Sequence, residues 1–330
     1  MQGDLPNTRS TPCHQLARLL AATLCLASGN VLSAETQTPA STTDPSPTID
    51  ALTPLDSSRD ALSQQITTFA NWLDNFFGDD RVYEESQKSH LKINLLHIRN
   101  EGNEPHFDAN VQGKLSLPNT QNRLKILFES DAEDENLQST TVAQAVESQQ
   151  QSIGIRYVRK TVPEWRIHAD LGIRFHSGLD AFARFRVRRL FTTGLWNFLP
   201  SEILFWYKST GFGETTALDI NRRFAEHFLF RSATQATWLD ESQQFEMSQN
   251  FYLIHDINPH RAIIYQTGIN GVSEPHVHTT SYLASVRLRQ QLHHDWLFFE
   301  VNPIIDYPEE EDFQAHYSLT FKLEVIFGGT

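Results

Sequence analysis

The chain has 330 residues, with 27 Lys and Arg against 40 Asp and Glu, a formal net charge of −13 and a mean hydropathy of −0.40. This acidity argues against a nucleic-acid partner, because such proteins present basic surfaces. No apolar run is long enough for a helical membrane span. Spanning strands are not excluded, since only alternate residues of a barrel strand must face lipid.

The N-terminus reads as a secretory signal over residues 1–34. Arg9 and Arg18 supply the basic start, Leu19 to Ala27 the short apolar core, and Leu32-Ser33-Ala34 a small-residue cleavage site. Both cysteines, Cys13 and Cys25, fall inside it. The mature chain is then expected to lack thiols, and so to have no disulfide framework, thiol nucleophile or cysteine-bound metal. Its balance becomes 25 basic against 39 acidic side chains.

Residues 35–56, rich in Thr, Pro, Ser and Asp, read as a flexible linker. Leu62, Ile66, Phe69, Leu73 and Phe76 then recur at helical spacing, which predicts an amphipathic helix over 57–78. Such a helix is expected to pack across the periplasmic mouth of a barrel; the other places open to it are inside the lumen, on the membrane, or free in the periplasm, where it offers a handle to a protein partner.

From residue 88 onward the chain alternates apolar and polar residues, the period of a strand with one greasy and one wet face. Fourteen strands are predicted, with twelve as the other count: 88–99, 106–117, 122–131, 151–160, 164–176, 180–191, 202–210, 213–224, 226–238, 243–255, 260–271, 278–290, 294–305 and 313–327. In the last, Phe313, Ala315, Tyr317, Leu319, Phe321, Leu323, Val325 and Phe327 share one face, and Ile326 alone breaks the pattern. Gln249 interrupts the apolar face of the tenth strand, and Trp296 to Phe299 is apolar on both faces. These departures indicate contact with another protein, contact with the helix, or a misjudged register.

The connections divide into two rims. Those at 119–121, 161–163, 225, 258–259 and 292–293 are short, and Pro118, Pro163, Pro200 and Pro259 each precede a predicted strand. Proline cannot donate to a ladder and belongs in a turn or at a strand's first residue, which marks this rim as periplasmic. The connection 192–201 is the one long exception. The opposite rim, with 132–150 and the acidic Glu309 to Asp312, is expected outside the cell, as a solvated loop or a divalent-cation contact beside lipopolysaccharide phosphates. Trp165, Trp206, Tyr207, Trp238 and Trp296 fall near predicted strand ends, where amphipathic rings settle at a membrane interface.

The wet face is richer in arginine than in acid. Arg156, Arg166, Asp170, Arg174, Arg184, Arg186, Arg188, Asp219, Arg223, Arg231, Arg287, Arg289, Lys322 and Glu324 are expected to line the interior. The turn after residue 176 is expected to bring Arg174 near Arg184 and Asp170 near Arg188. Basic residues around a constriction favour anions. The same residues, paired with Asp170, Asp219 and Glu324, equally describe a structural network in a closed barrel.

Over residues 88–327 the chain resembles Gram-negative outer-membrane β-barrel proteins. The most specific match is the C-terminal assembly signal, with Thr320 at its polar place, Val325 at its apolar place and Phe327 at its aromatic place. Lys322 stands where that signal has glycine, and Gly328-Gly329-Thr330 follow the aromatic. The resemblance implies an outer-membrane location among lipid and lipopolysaccharide, and insertion by the barrel-assembly machinery.

Enzymatic parts are sparse. His176-Ser177-Gly178 puts a base beside a hydroxyl, but Leu179 departs from the asparagine-containing pattern of outer-membrane lipid hydrolases, and neighbours on a strand point to opposite faces. His276 and His278 make a metal half-site without a third ligand. No cofactor is expected. The sequence thus favours an outer-membrane barrel that passes small, anionic solutes. A docking barrel plugged by its helix and a lipid-modifying enzyme are the alternatives in function, and a periplasmic β-sandwich the alternative in fold.

Overall fold

The computed structural model describes residues 89–117, 123–130, 151–162, 165–175, 178–293 and 296–328. The expected signal, linker and helix, the loop 132–150 and the His176-Ser177 pair lie outside the described residues.

The strands run in chain order as β1 (His90–Asn100), β2 (His106–Ser116), β3 (Leu124–Ser130), β4 (Gln151–Val162), β5 (Trp165–Phe175), β6 (Leu179–Arg189), β7 (Phe191–Thr193), β8 (Trp196–Tyr207), β9 (Gly211–Ala225), β10 (Phe228–Leu239), β11 (Gln244–Asn258), β12 (Arg261–Val272), β13 (His278–His293), β14 (Leu297–Pro308) and β15 (His316–Gly328). Every strand pairs antiparallel with its neighbours. Two pairings close the sheet: β1 with β15, from His90 opposite Gly328 to Asn100 opposite Ser318, and β6 with β8. No edge is left, which is what lipid demands of a sheet that crosses it.

The short β7 is the continuation of β6. Arg188 pairs with Ser201 and Phe191 with Phe198, one unbroken register against β8. The break at Arg189 and Leu190 lies opposite Pro200 and Leu199, where proline has no N–H to give to the ladder. The barrel wall is therefore fourteen strands around. The long connection expected at 192–201 is instead a tight turn with Gly194 at φ 59°, and β8 begins six residues earlier than predicted. Pro200 misled because it sits inside a strand at a ladder break rather than ahead of one. In β15 the strand starts at His316, not 313: Phe313 N–H bonds Pro308 O and Gln314 N–H bonds Glu311 O, forming a turn with Phe313 at φ 56°.

Alternation fixes inside from outside. Outward side chains such as Phe107, Val111, Ile155, Leu171, Phe185, Tyr265 and Ile269 form an exposed apolar belt, with Phe107 at 82%. Inward partners along the same strands, including Lys92, Asn94, Gln112, Lys114, Lys125, Arg156, Asp170, Asp219, Asn250 and Gln266, are buried and polar. A soluble sandwich has the reverse arrangement. Among the described residues no helix is long and apolar enough to cross a membrane, and the exposed apolar belt lies on the strands.

Two inward clusters depart from polarity. Near the short-turn rim, Leu229, Tyr252, Ile254, Ala262, Ile264, Phe298 and Ile326 pack together, which accounts for Ile326 and for the doubly apolar start of β14. Phe299 takes the outer face and stacks on Phe321. Nearer the other rim, Phe182, Phe205 and Tyr207 form an aromatic shelf. Its rings lie against glycine backbone: a Cβ on Gly172 would stand 2.7 Å from Phe182 and 2.4 Å from Ile153 O, and one on Gly213 would stand 2.2 Å from Phe205. Gly172→Val is accordingly expected to lower barrel stability by about 1–3 kcal/mol through overpacking. Guanidinium unfolding in micelles, followed by tryptophan fluorescence, measures it; an unchanged midpoint would mean the shelf is loosely packed.

Candidate functional site

The inner wall formed by β3–β6 is the most basic sector. Register places Lys125, Arg156, Asp170 and Arg184 side by side across four strands, and the rows beneath bring His168 opposite Arg186 and Arg166 opposite Arg188. Asp170 is the acid in these rows. Arg156 grips it in fork geometry, Nε donating to Oδ1 at 2.7 Å and Nη2 to Oδ2 at 2.8 Å, and Arg184 Nε stands 3.7 Å from Oδ2. Like charges across a sheet are tolerated where a counter-charge intervenes, and Asp170 provides it for Arg156 and Arg184.

The β5–β6 hairpin is tighter than the sequence suggested. Phe175 pairs with Leu179, so Arg174 meets Asp180 and Asp170 meets Arg184. The expected pairings of Arg174 with Arg184 and of Asp170 with Arg188 were displaced by four residues. Arg174 Nη2 donates to Asp180 Oδ2 at 2.7 Å while its guanidinium lies 3.6 Å from the Tyr207 ring centroid. Asp180 also accepts from the Ser209 N–H at 2.9 Å and its hydroxyl at 2.7 Å, which ties the β8–β9 connection to the shelf.

Across the barrel, β13–β15 hold a second network. Arg289, fully buried, reaches Glu300 with Nη1 and Glu324 with Nη2, and its guanidinium lies 4.1 Å from the Phe298 ring. Lys322 Nζ stands 3.1 Å from Glu300 and 3.7 Å from Glu324. On β9–β13 the inner wall is polar: Arg231 Nε donates to Asn221 at 2.7 Å, and Gln266 links Asn250, Tyr252 and Ser285. Asp219 is buried in this sector, and Arg287 faces inward beside Arg289.

Several expected residues are placed differently. Arg223 caps the β9–β10 turn through Ala225 O at 3.3 Å and Glu226 O. Tyr207, expected at the interface, points inward at 3% exposure, while its neighbour Trp206 points outward at 46%. The remaining aromatics lie at strand ends: Trp165 under Arg189, Trp238 against Phe212, and Trp296 edge-on to His293. Trp196, stacked near Phe198 and Arg222, joins them; it was missed because its segment read as loop. Lys92, Lys114, Lys125, Asp180 and Glu300 were also missed, although each shares the inward parity of a predicted strand. Thr320 is buried inward, whereas Val325 and Phe327 share the outer face.

At the opposite rim, His278 Nδ1 bonds His276 O at 2.7 Å and its Nε2 stands 3.3 Å from Glu309, while His316 pairs with Glu311. The two imidazoles thus clasp the Glu309–Glu311 turn to β13 and β15. Among the described residues no group of three His, Cys, Asp or Glu is arranged to hold a metal ion.

No family model and no curated protein matches this chain. Among solved structures it is similar to the outer-membrane channel DcaP of Acinetobacter baumannii, at 7% identity over 73% of this chain and 96% of that one, TM-score 0.45. It is likewise similar to Pseudomonas putida OprB, at 9% identity over 76% and 97%, TM-score 0.45, and to Pseudomonas aeruginosa OpdK with vanillate, at 7% over 73% and 98%, TM-score 0.44.

Proposed function

We propose that this Gram-negative outer-membrane barrel passes small solutes by passive diffusion and prefers anions. The observation that supports the reading is the β3–β6 wall, where Lys125, Arg156, Arg166, Arg184, Arg186 and Arg188 face inward around Asp170. A low-dielectric wall lined by one sign of charge focuses its field into the passage and concentrates counter-ions there. Guanidinium forks match carboxylate and phosphate oxygens, so small organic carboxylates and phosphates are the solutes that fit. Arg174, stacked on Tyr207 beside Asp180, stands above the wall on the aromatic shelf and would meet such a solute near the outer rim. Reaching the membrane would depend on the barrel-assembly machinery reading Thr320, Val325 and Phe327.

Proteoliposome swelling tests this. A small dicarboxylate is expected to enter faster than an organic cation of equal size; equal rates, or a faster cation, would contradict the preference. A second reading, a docking barrel closed by residues 57–78, draws on the inward apolar cluster around Tyr252 and Ile254, both at 0% exposure. Deleting 57–78 separates the two: higher conductance marks a plug, whereas lost capture of a partner at unchanged conductance marks a handle.

A further inference from the structure

The inward apolar cluster at the short-turn rim runs from Leu229 on β10 through Tyr252, Ile254, Ile264 and Phe298 to Ile326 on β15. Tyr252 and Ile254 have no exposed surface. Neighbouring strands stand about 4.8 Å to either side, so they cover the flanks of an inward side chain and leave its tip pointing at the barrel axis. The wall alone does not account for burial this complete, and apolar tips facing a lumen gain from an apolar partner on their inner side. Charge begins where the cluster ends. Ile326 pairs with Lys92 on β1, and Lys114 on β2 and Lys125 on β3 continue around the wall, all three inward and buried. Lysine is almost never buried except in the company of acids.

Residues 57–78 carry the complement of both surfaces. At helical spacing Leu62, Ile66, Phe69, Leu73 and Phe76 share one face, and Asp60 and Asp74 fall on the opposite one. Leu62 to Phe76 is about 21 Å of helix, and the five strand spacings from β10 to β15 make about 24 Å of wall. The chain enters β1 at His90, on the rim that holds Ile326, and residues 79–89 reach about 36 Å when extended. We infer that the inward cluster of β10–β15 is the seat of this segment, which lies across the mouth of the barrel with its apolar stripe on the cluster and its aspartates toward Lys92, Lys114 and Lys125. The seat rests on the reading in which residues 57–78 form a helix that closes the barrel.

Disulfide trapping in the full chain tests this, with Cys13 and Cys25 replaced by serine. Phe69→Cys, combined in turn with Ala262→Cys and with Ile264→Cys, is expected to form an intramolecular disulfide when membranes are oxidised, read as linked peptides by mass spectrometry. Phe69→Cys with Thr215→Cys is the control, because Thr215 also faces inward but lies about 26 Å along the wall from the level of Leu229. No link at either cluster position, or equal linking at Thr215, would overturn the seat. Asp60→Lys with Asp74→Lys leaves every barrel residue in place and is expected to slow trapping about tenfold. An unchanged rate would overturn the lysine side of the seat. Conductance separates the seat from the closure. Trapping in a chain whose conductance is unchanged by deleting 57–78 supports the seat and removes the plug. A conductance that rises on that deletion, without trapping, keeps the plug and overturns this seat for it.

Discussion

Glu324→Leu is expected to destabilise the barrel by about 3–5 kcal/mol, because it strips one acid from a buried guanidinium. Arg289 has no exposed surface and divides its charge between Glu300 and Glu324, with Lys322 completing the square. Lost Coulomb energy is the smaller part of the effect. The larger part is a cation held out of water with one of the two acids described around it gone. Adding Arg289→Met should recover much of the loss, since the remaining Glu300 and Lys322 still pair at 3.1 Å while Met can pack on Phe298. Guanidinium unfolding of the refolded protein in vesicles compares the three chains. A double variant no more stable than the single one would mean that the packing of the Glu324 side chain, not its charge, holds this sector.

Arg184→Glu with Arg186→Glu is expected to reverse the ion preference of the passage while leaving the barrel folded. Asp170 retains its fork with Arg156 when Arg184 is lost, so the β4–β5 register keeps its anchor. Both positions lie in the inward rows of β6, where the field of the wall is set. Surface potentials of several kT at such a wall correspond to about a tenfold change in the ratio of anion to cation permeability. Ion substitution in planar bilayers reads that ratio. An unchanged ratio in a folded, conducting double variant would remove β6 from the selectivity-determining surface.

Much of the architecture was legible because a barrel strand advertises itself by its period. Trp165 to Phe175 alternates without a fault, and its inward arginines and Asp170 could be named before any coordinates. What stayed hidden depended on cross-strand register or on an interior that is not uniformly polar. The β5–β6 pairing turns on where the hairpin bends, and a four-residue slip preserves every inward parity while changing each partner, so Asp180 escaped notice. Ile326 and Phe298 broke the pattern because the interior carries an apolar cluster, an arrangement alternation alone cannot foresee. Tyr207 was assigned to the interface by its nearness to a strand end, but parity, not nearness, decides which way a ring points. Glu202 on β8, which shares the outward parity of Leu204 and Trp206, escaped for the converse reason, an acid on the face that the pattern reserves for apolar residues.

The central claim is an anion-preferring passage through the barrel, and the zero-current potential of the purified, refolded protein tests it most directly. With a potassium chloride gradient across a planar bilayer, the account predicts stable conductance and a reversal potential displaced toward the chloride equilibrium value. Displacement toward the potassium value, or no conductance from a correctly folded, heat-modifiable barrel even after residues 57–78 are removed, would contradict it.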